Sequence, residues 1–106
     1  MLVAYEVSKD LVTKLRPVAD KIEQRDRDLA DQLRRAASSV VLNLGEGQRS
    51  LKGNKGKHYS IAHGSAGEVR AALDVAVCWG WIDPPHEALA VLDHTIRLIW
   101  GLTPKK

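Results

Sequence analysis

The chain has 106 residues, 44% of them hydrophobic and 27% charged, with a formal net charge of +3 at pH 7. This length and composition suit one globular domain with a single core, so we expect residues 1–106 to form one domain. No apolar run approaches bilayer-spanning length and only one cysteine is present, which argues against a membrane protein or a disulfide framework and favours a cytoplasmic location.

Apolar residues recur at helical spacing in the first half of the chain, where two helices are predicted. Pro17 lies inside the first helix and predicts a kink near residues 13–17. The charged segment QRDRD, residues 24–28, forms the turn, and Asp28 is the expected N-cap of the second helix. The stripe of the first helix is Val7, Leu11, Leu15, Val18 and Ile22. The stripe of the second is Leu29, Leu33, Ala36, Val40 and Leu44.

The second half of the chain predicts two further helices, separated by a stop near Gly80. The third runs over about residues 59–78, and the fourth begins with Asp83 as N-cap and Pro84 as its first residue. The stripe of the third is Ile61, Ser65, Val69, Ala72 and Ala76, and that of the fourth is Leu89, Leu92, Ile96 and Ile99. Four helices with short connections predict an all-α, antiparallel up-down four-helix bundle.

Small residues are frequent on the second and third helices and predict that these helices approach closely. Cys78 lies in an apolar run and is expected to be a buried core residue. The small residues are Ala36, Ala37, Ala62, Gly64, Ala66, Gly67, Ala71 and Ala72.

A polar ridge lies opposite the apolar stripe of the second helix. At 100° per residue, the ridge residues of this helix fall within an arc of about 120° around the helix axis. Serine and asparagine are poor helix formers, so their presence in mid-helix indicates side chains with assigned partners. We expect a hydrogen-bonded network between helices or between subunits. Its members are Arg35, Ser39, Asn43, Glu46 and Arg49 on the second helix, and Ser65 and Glu68 on the third.

Glu46 and Glu68 would be the natural acid/base pair of an enzyme, but no nucleophile, metal-ligand set or cofactor loop accompanies them. The histidines lack zinc-ligand spacing. The segment GNKGK is not a phosphate-binding P-loop, because Leu51 and His58 replace the glycine and the serine or threonine of that motif. We therefore expect no enzyme, no cofactor and no metal.

A basic segment without acidic residues separates Glu46 from Glu68. We expect residues 50–57 to form a turn between the second and third helices that contacts nucleic-acid phosphates. On charge alone, a merely solubilising loop is equally compatible. The candidate phosphate-binding residues are Arg49, Lys52, Lys55, Lys57 and His58.

The segments RRAASSVVLNLGEGQRS, residues 34–50, and IAHGSAGEVRAALDVA, residues 61–76, resemble the 23S rRNA-intervening-sequence proteins, also called S23 ribosomal proteins. The family pattern is R-A-x-x-S-x-x-x-N-I-x-E-G, a basic stretch, then A-x-G-S-x-x-E. The chain departs from the family at Leu44, where isoleucine is usual, and at His63, where a basic residue is common. It meets the pattern at Arg35, Ala36, Ser39, Asn43, Glu46, Gly47 and Arg49, and at Ala62, Gly64, Ser65 and Glu68.

The resemblance implies a small bacterial four-helix bundle that assembles as a homopentameric ring. Some relatives are encoded within insertions in 23S rRNA genes, and the retroelement accessory variability proteins of the same group bind nucleic acid and a reverse transcriptase. The expected function is therefore a non-enzymatic homo-oligomer that binds nucleic acid, RNA being favoured, through its basic segment. The alternative is an adaptor or assembly scaffold whose partner is a reverse transcriptase or another protein, without nucleic-acid binding.

Overall fold

In the computed structural model, residues 2–102 are described, apart from the side chain of Lys52. Within this range the chain forms four helices and no strands: α1 (Val3–Glu23), α2 (Arg27–Arg49), α3 (Lys52–Cys78) and α4 (His86–Leu102). Each helix packs against the next along the chain, and α4 returns to α1. The predicted all-α four-helix bundle is confirmed. None of these helices is both long and apolar enough to cross a membrane.

The core forms where the four apolar stripes meet. Leu11, Leu33, Val40 and Leu92 are among the side chains that are fully buried there, so the helical spacing correctly identified the inward faces. The prediction for Ile61 is wrong, because this side chain is 42% exposed. Alanines take the inward positions beside it on α3, and these are Ala62 and Ala66.

Three predicted helix ends differ from the structure. The N-cap of α2 is Asp26, not Asp28, because the Asp26 carboxylate accepts the N–H of Leu29 at 2.9 Å. α4 begins at His86, beyond the predicted start at residues 83–84. α3 begins seven residues before the predicted Tyr59, which changes the environment of the basic segment. α1 runs through Pro17 without a break, and the kink there stays a prediction.

The end of α3 follows the prediction. The N–H of Gly80 donates to the carbonyl of Val77 at 2.9 Å, and that of Trp81 donates to Ala76 at 3.0 Å. This is the Schellman arrangement, and it needs a left-handed residue, which Gly80 supplies with φ of 76°. Cys78 at the same end is exposed, so its predicted burial is wrong.

Arg34 ties α1 to α2 at the end opposite the basic segment. Its guanidinium donates to Asp20 at 2.9 Å and to Glu23 at 2.5 Å. The hydrogen bond to Glu23, and then that to Asp20, raises the pKa of Arg34 above its ordinary value. The alternating charges of residues 20–31 therefore form contacts between helices as well as a solvated surface.

Candidate nucleic-acid interface

The basic segment is the start of a helix, not a turn. Only Ser50 and Leu51 lie between α2 and α3, so the prediction of a turn over residues 50–57 is wrong. Gly53, Asn54 and Gly56 are poor helix formers, and they suggested a turn. Propensity is a weak prior, however, and the first turns of α3 are held by side-chain contacts with α2 that no local pattern reveals.

Lys55 provides one of these contacts. Its ammonium group donates to the main-chain carbonyl of Gly47 at 3.0 Å and approaches that of Gln48 at 3.3 Å. The last carbonyls of a helix carry partial negative charge and have no partner within the helix. Lys55 therefore caps the end of α2, and its charge is engaged within the protein.

His58 provides a second contact, within the predicted polar network. Asn43 donates its amide to the carbonyl of Ser39 at 2.9 Å, an arrangement that leaves its Oδ1 as an acceptor facing His58 Nδ1 at 3.1 Å. The Nδ1 of His58 must then carry the proton. Ser39 completes the chain of contacts, since its hydroxyl lies 2.8 Å from that of Ser65 on α3. The mid-helix serine and asparagine thus have partners.

Four members of the predicted network lie apart from these contacts. Arg35 and Glu68 line a polar cavity of about 380 Å³ between α2 and α3, yet neither makes a hydrogen bond or ion pair with the described part of the chain. Glu46 pairs with Arg49 one turn further along α2. Glu46 is therefore paired within α2, whereas Glu68 has no partner among the described residues.

A tyrosine positions the start of α3 on α2. An alanine Cβ added at Gly47 would lie 2.9 Å from Cδ1 of Tyr59 and closer still to Cε1, so the ring occupies the space that a side chain would need. Gly45 meets Tyr5 in a similar way, with 3.1 Å between the added Cβ and Cε1. The propensity cost of two glycines near the end of α2 was the signal in the sequence for these contacts.

The first turn of α3 has the features of an anion-binding helix end. Its N-cap, Leu51, supplies no side-chain hydrogen bond, and the turn contains no acidic residue. An added Cβ at Gly53 or Gly56 would meet nothing within 4 Å. The amide end of a helix carries partial positive charge and binds phosphates when it is open.

The predicted phosphate-binding residues therefore have different surroundings. Lys55 and His58 are turned toward α2, whereas Arg49 and Lys57 are exposed beside the open end of α3. Lys57 has no hydrogen bond or ion pair with the described residues. The side chain of Lys52 lies outside the described part of the structure.

Comparison with known protein families matches residues 1–100 to the family described as 23S rRNA-intervening sequence protein. The resemblance seen in residues 34–50 and 61–76 is confirmed, and the match covers nearly the whole chain. No curated protein and no solved structure matches the chain.

Proposed function

The chain belongs to the 23S rRNA-intervening sequence protein family, and we propose that it is a non-enzymatic homo-oligomer that binds nucleic acid, RNA being favoured. The family's description is compatible with RNA association. The observation that carries the proposal is the coincidence of three features at the start of the 27-residue helix α3: basic residues, no acidic residue in the first turn, and no side-chain cap.

In this proposal the basic residues have two roles, direct contact with phosphates and positioning of the helix start. Arg49, Lys52 and Lys57 contact phosphates together with the first amides of α3. Lys55 and His58 act indirectly, since their hydrogen bonds to α2 hold these turns in place. Contacts of this kind do not depend on base identity and weaken as salt concentration rises.

Self-association would strengthen such binding. The family resemblance implies a pentamer, and we propose that five open helix ends engage one nucleic-acid strand together. Repetition of a weak contact raises the overall affinity through effective concentration, provided that the strand can reach several sites at once. A single protomer would therefore bind far more weakly than the assembled ring.

The test is fluorescence anisotropy with a labelled single-stranded RNA over a range of about 50–200 mM salt. The variant replaces Arg49 and Lys57 with glutamine, and the control replaces Lys21 and Arg25, which are exposed at the opposite end of the bundle. Each lost phosphate contact should reduce the slope of log K against log salt by about 0.7.

Two results would contradict the proposal. Absence of binding by the wild-type protein at the lowest salt concentration would remove nucleic acid as the partner. An equal loss of affinity in the control variant would show that overall charge matters and that the start of α3 does not. A normal helical circular dichroism spectrum of each variant ensures that the comparison is between folded proteins.

A second candidate function, a protein adaptor, is favoured by the exposed tryptophan at the other end of α3. Trp79 is 69% exposed, and its ring stacks on Trp81 with 5.7 Å between centroids and 13° between planes. Exposed aromatic side chains are typical anchors of protein interfaces. A protein partner that is retained after nuclease treatment and lost with Trp79→Ser would support this function, whereas a Trp79→Ser variant that retains every partner would contradict it.

A further inference from the structure

The glycines of α2 and α3 fall into two groups. An added Cβ at Gly45 or Gly47 would meet a tyrosine ring, whereas one at Gly64 or Gly67 would meet nothing within 4 Å. Glycine is a poor helix former, and both Gly64 and Gly67 lie in the interior of α3. No contact among the described residues of one copy explains why these two positions lack a side chain.

Gly64 and Gly67 belong to an exposed face of α3 that has almost no side-chain bulk. Ser60 and Ala71 continue it in both directions at spacings of four residues, so the four residues share one side of the helix over about three turns. A helix surface of this kind allows another helix to approach closely.

The exposed face of α2 has the complementary shape. Leu42 protrudes from it and is 66% exposed. Its neighbours Ser38, Ser39 and Asn43 are small or polar, and with Leu42 they line a recess of about 390 Å³. An exposed leucine at the centre of a polar helix face leaves apolar area that a partner would cover.

The charges on the two faces are also complementary. Arg35 lies two turns before Leu42 on α2, and Glu68 lies one turn after Gly64 on α3. Both line the polar cavity, and neither is paired with any described residue. The axial separations are about 10 Å for Arg35 to Leu42 and about 6 Å for Gly64 to Glu68. The long side chains of arginine and glutamate can span the difference.

We propose that copies of the chain associate by packing the α2 face of one copy on the α3 face of the next. Leu42 sits over Gly64 and Gly67 of the neighbouring copy, and Arg35 pairs with its Glu68. This inference rests on the proposed self-association and names the surfaces that form it. The two faces differ, so each copy can contact two neighbours.

The arrangement is compatible with a closed ring. When four helices surround one core, the outward directions of the α2 and α3 faces differ by about a quarter of a turn. In a closed ring of four or five copies, the directions from one subunit to its two neighbours differ by roughly the same angle. Pairing also gives Arg35 and Glu68 the partners that they lack among the described residues of one copy. The basic start of α3 lies beyond this contact surface.

The first test is charge reversal with light-scattering mass as the readout. Arg35→Glu and Glu68→Arg should each raise the dissociation constant between copies at least about tenfold, and the double variant, in which the pair is restored with exchanged signs, should recover the wild-type mass. Arg25→Glu and Glu87→Arg make the same charge changes at exposed positions outside the two faces and should leave the mass unchanged.

The second test fills the α3 face. Gly67 is exposed and a Cβ added there would meet nothing within 4 Å, so Gly67→Leu should keep a normal helical spectrum and yet give monomers. Ala90→Leu on the exposed side of α4 should have no effect. An oligomeric wild type whose mass is unchanged by all these substitutions would overturn the interface and leave self-association intact.

A monomeric wild-type protein would overturn both self-association and this interface, and its anisotropy with RNA would still report nucleic-acid binding separately. If Gly67→Leu instead abolished binding of a different protein to the monomer, the α3 face would serve that protein, and the assignment to a second copy would be wrong.

Discussion

Replacement of Gly47 by alanine tests the close approach of the Tyr59 ring on α3 to the backbone of α2. The added Cβ would lie 2.9 Å from Cδ1 of Tyr59 and closer to Cε1, well inside the van der Waals contact of two carbons. Tyr59 is only 6% exposed, so its ring has little room to retreat. Either the ring must leave its preferred position or α3 must move away from α2.

The expected net effect is a loss of stability. Overpacking of a buried contact costs about 1–3 kcal/mol, and alanine gains about 1 kcal/mol over glycine in a helix interior. The separation at Tyr59 is short enough to favour the upper part of the overpacking range. We therefore expect Gly47→Ala to reduce the free energy of unfolding by about 1–2 kcal/mol.

Urea denaturation followed by circular dichroism measures this difference, with every variant at the same protein concentration because self-association also contributes to stability. Gly56→Ala is the matched control. Its Cβ meets nothing within 4 Å, so only the propensity gain should remain, and its free energy of unfolding should rise by about 0.5–1 kcal/mol.

A double-mutant cycle with Tyr59→Leu isolates the contact. When the ring is absent, Gly47→Ala should no longer destabilise the protein. A Gly47→Ala variant as stable as the wild type would refute the reasoning. So would a cost that is the same with and without the tyrosine ring, since the clash could not then be its source.

Three further substitutions test contacts that position the candidate interface and the helix ends. Asp26→Ala removes the N-cap acceptor of α2 and should reduce the free energy of unfolding by about 1 kcal/mol in urea denaturation, whereas Asp28→Ala should cost less. Lys55→Met leaves two carbonyls of α2 without their cation and should speed amide hydrogen exchange in the first turns of α3; unchanged exchange would show that Lys55 does not hold them. Ser65→Ala removes the partner of the Ser39 hydroxyl and should reduce the free energy of unfolding by about 1 kcal/mol. A thermal scan in which the Ser65→Ala variant unfolds with the wild type would contradict a role for that bond.

The helices and their inward faces could be predicted because helical periodicity is a local property. Leu33, Val40 and Leu44 are spaced by turns of one helix, and all three are buried. Helix ends were less predictable. Asp26 and Asp28 are both suitable caps, and the choice depends on where the chain first adopts helical backbone angles.

The residue types of the candidate site could be predicted from the sequence, but their conformation and contacts could not. The acid-free basic segment and the polar ridge are visible in the sequence, as is the two-block family pattern. The hydrogen-bond partners of Lys55 and His58 were not predictable. These partners lie on α2, and which α2 groups face α3 depends on how the two helices pack. Glycines at 53 and 56 indicated a turn, and packing against α2 overrode that preference.

By itself, the sequence determined the fold class, the membership of a family and the place where positive charge collects. These follow from spacing and residue type along one chain. The tertiary structure decided which charges remain free. It engages Lys55 at the end of α2 and leaves Arg35 and Glu68 beside one cavity without a partner among the described residues. The partner of a charge depends on the distance between helices, which no pattern within one helix encodes.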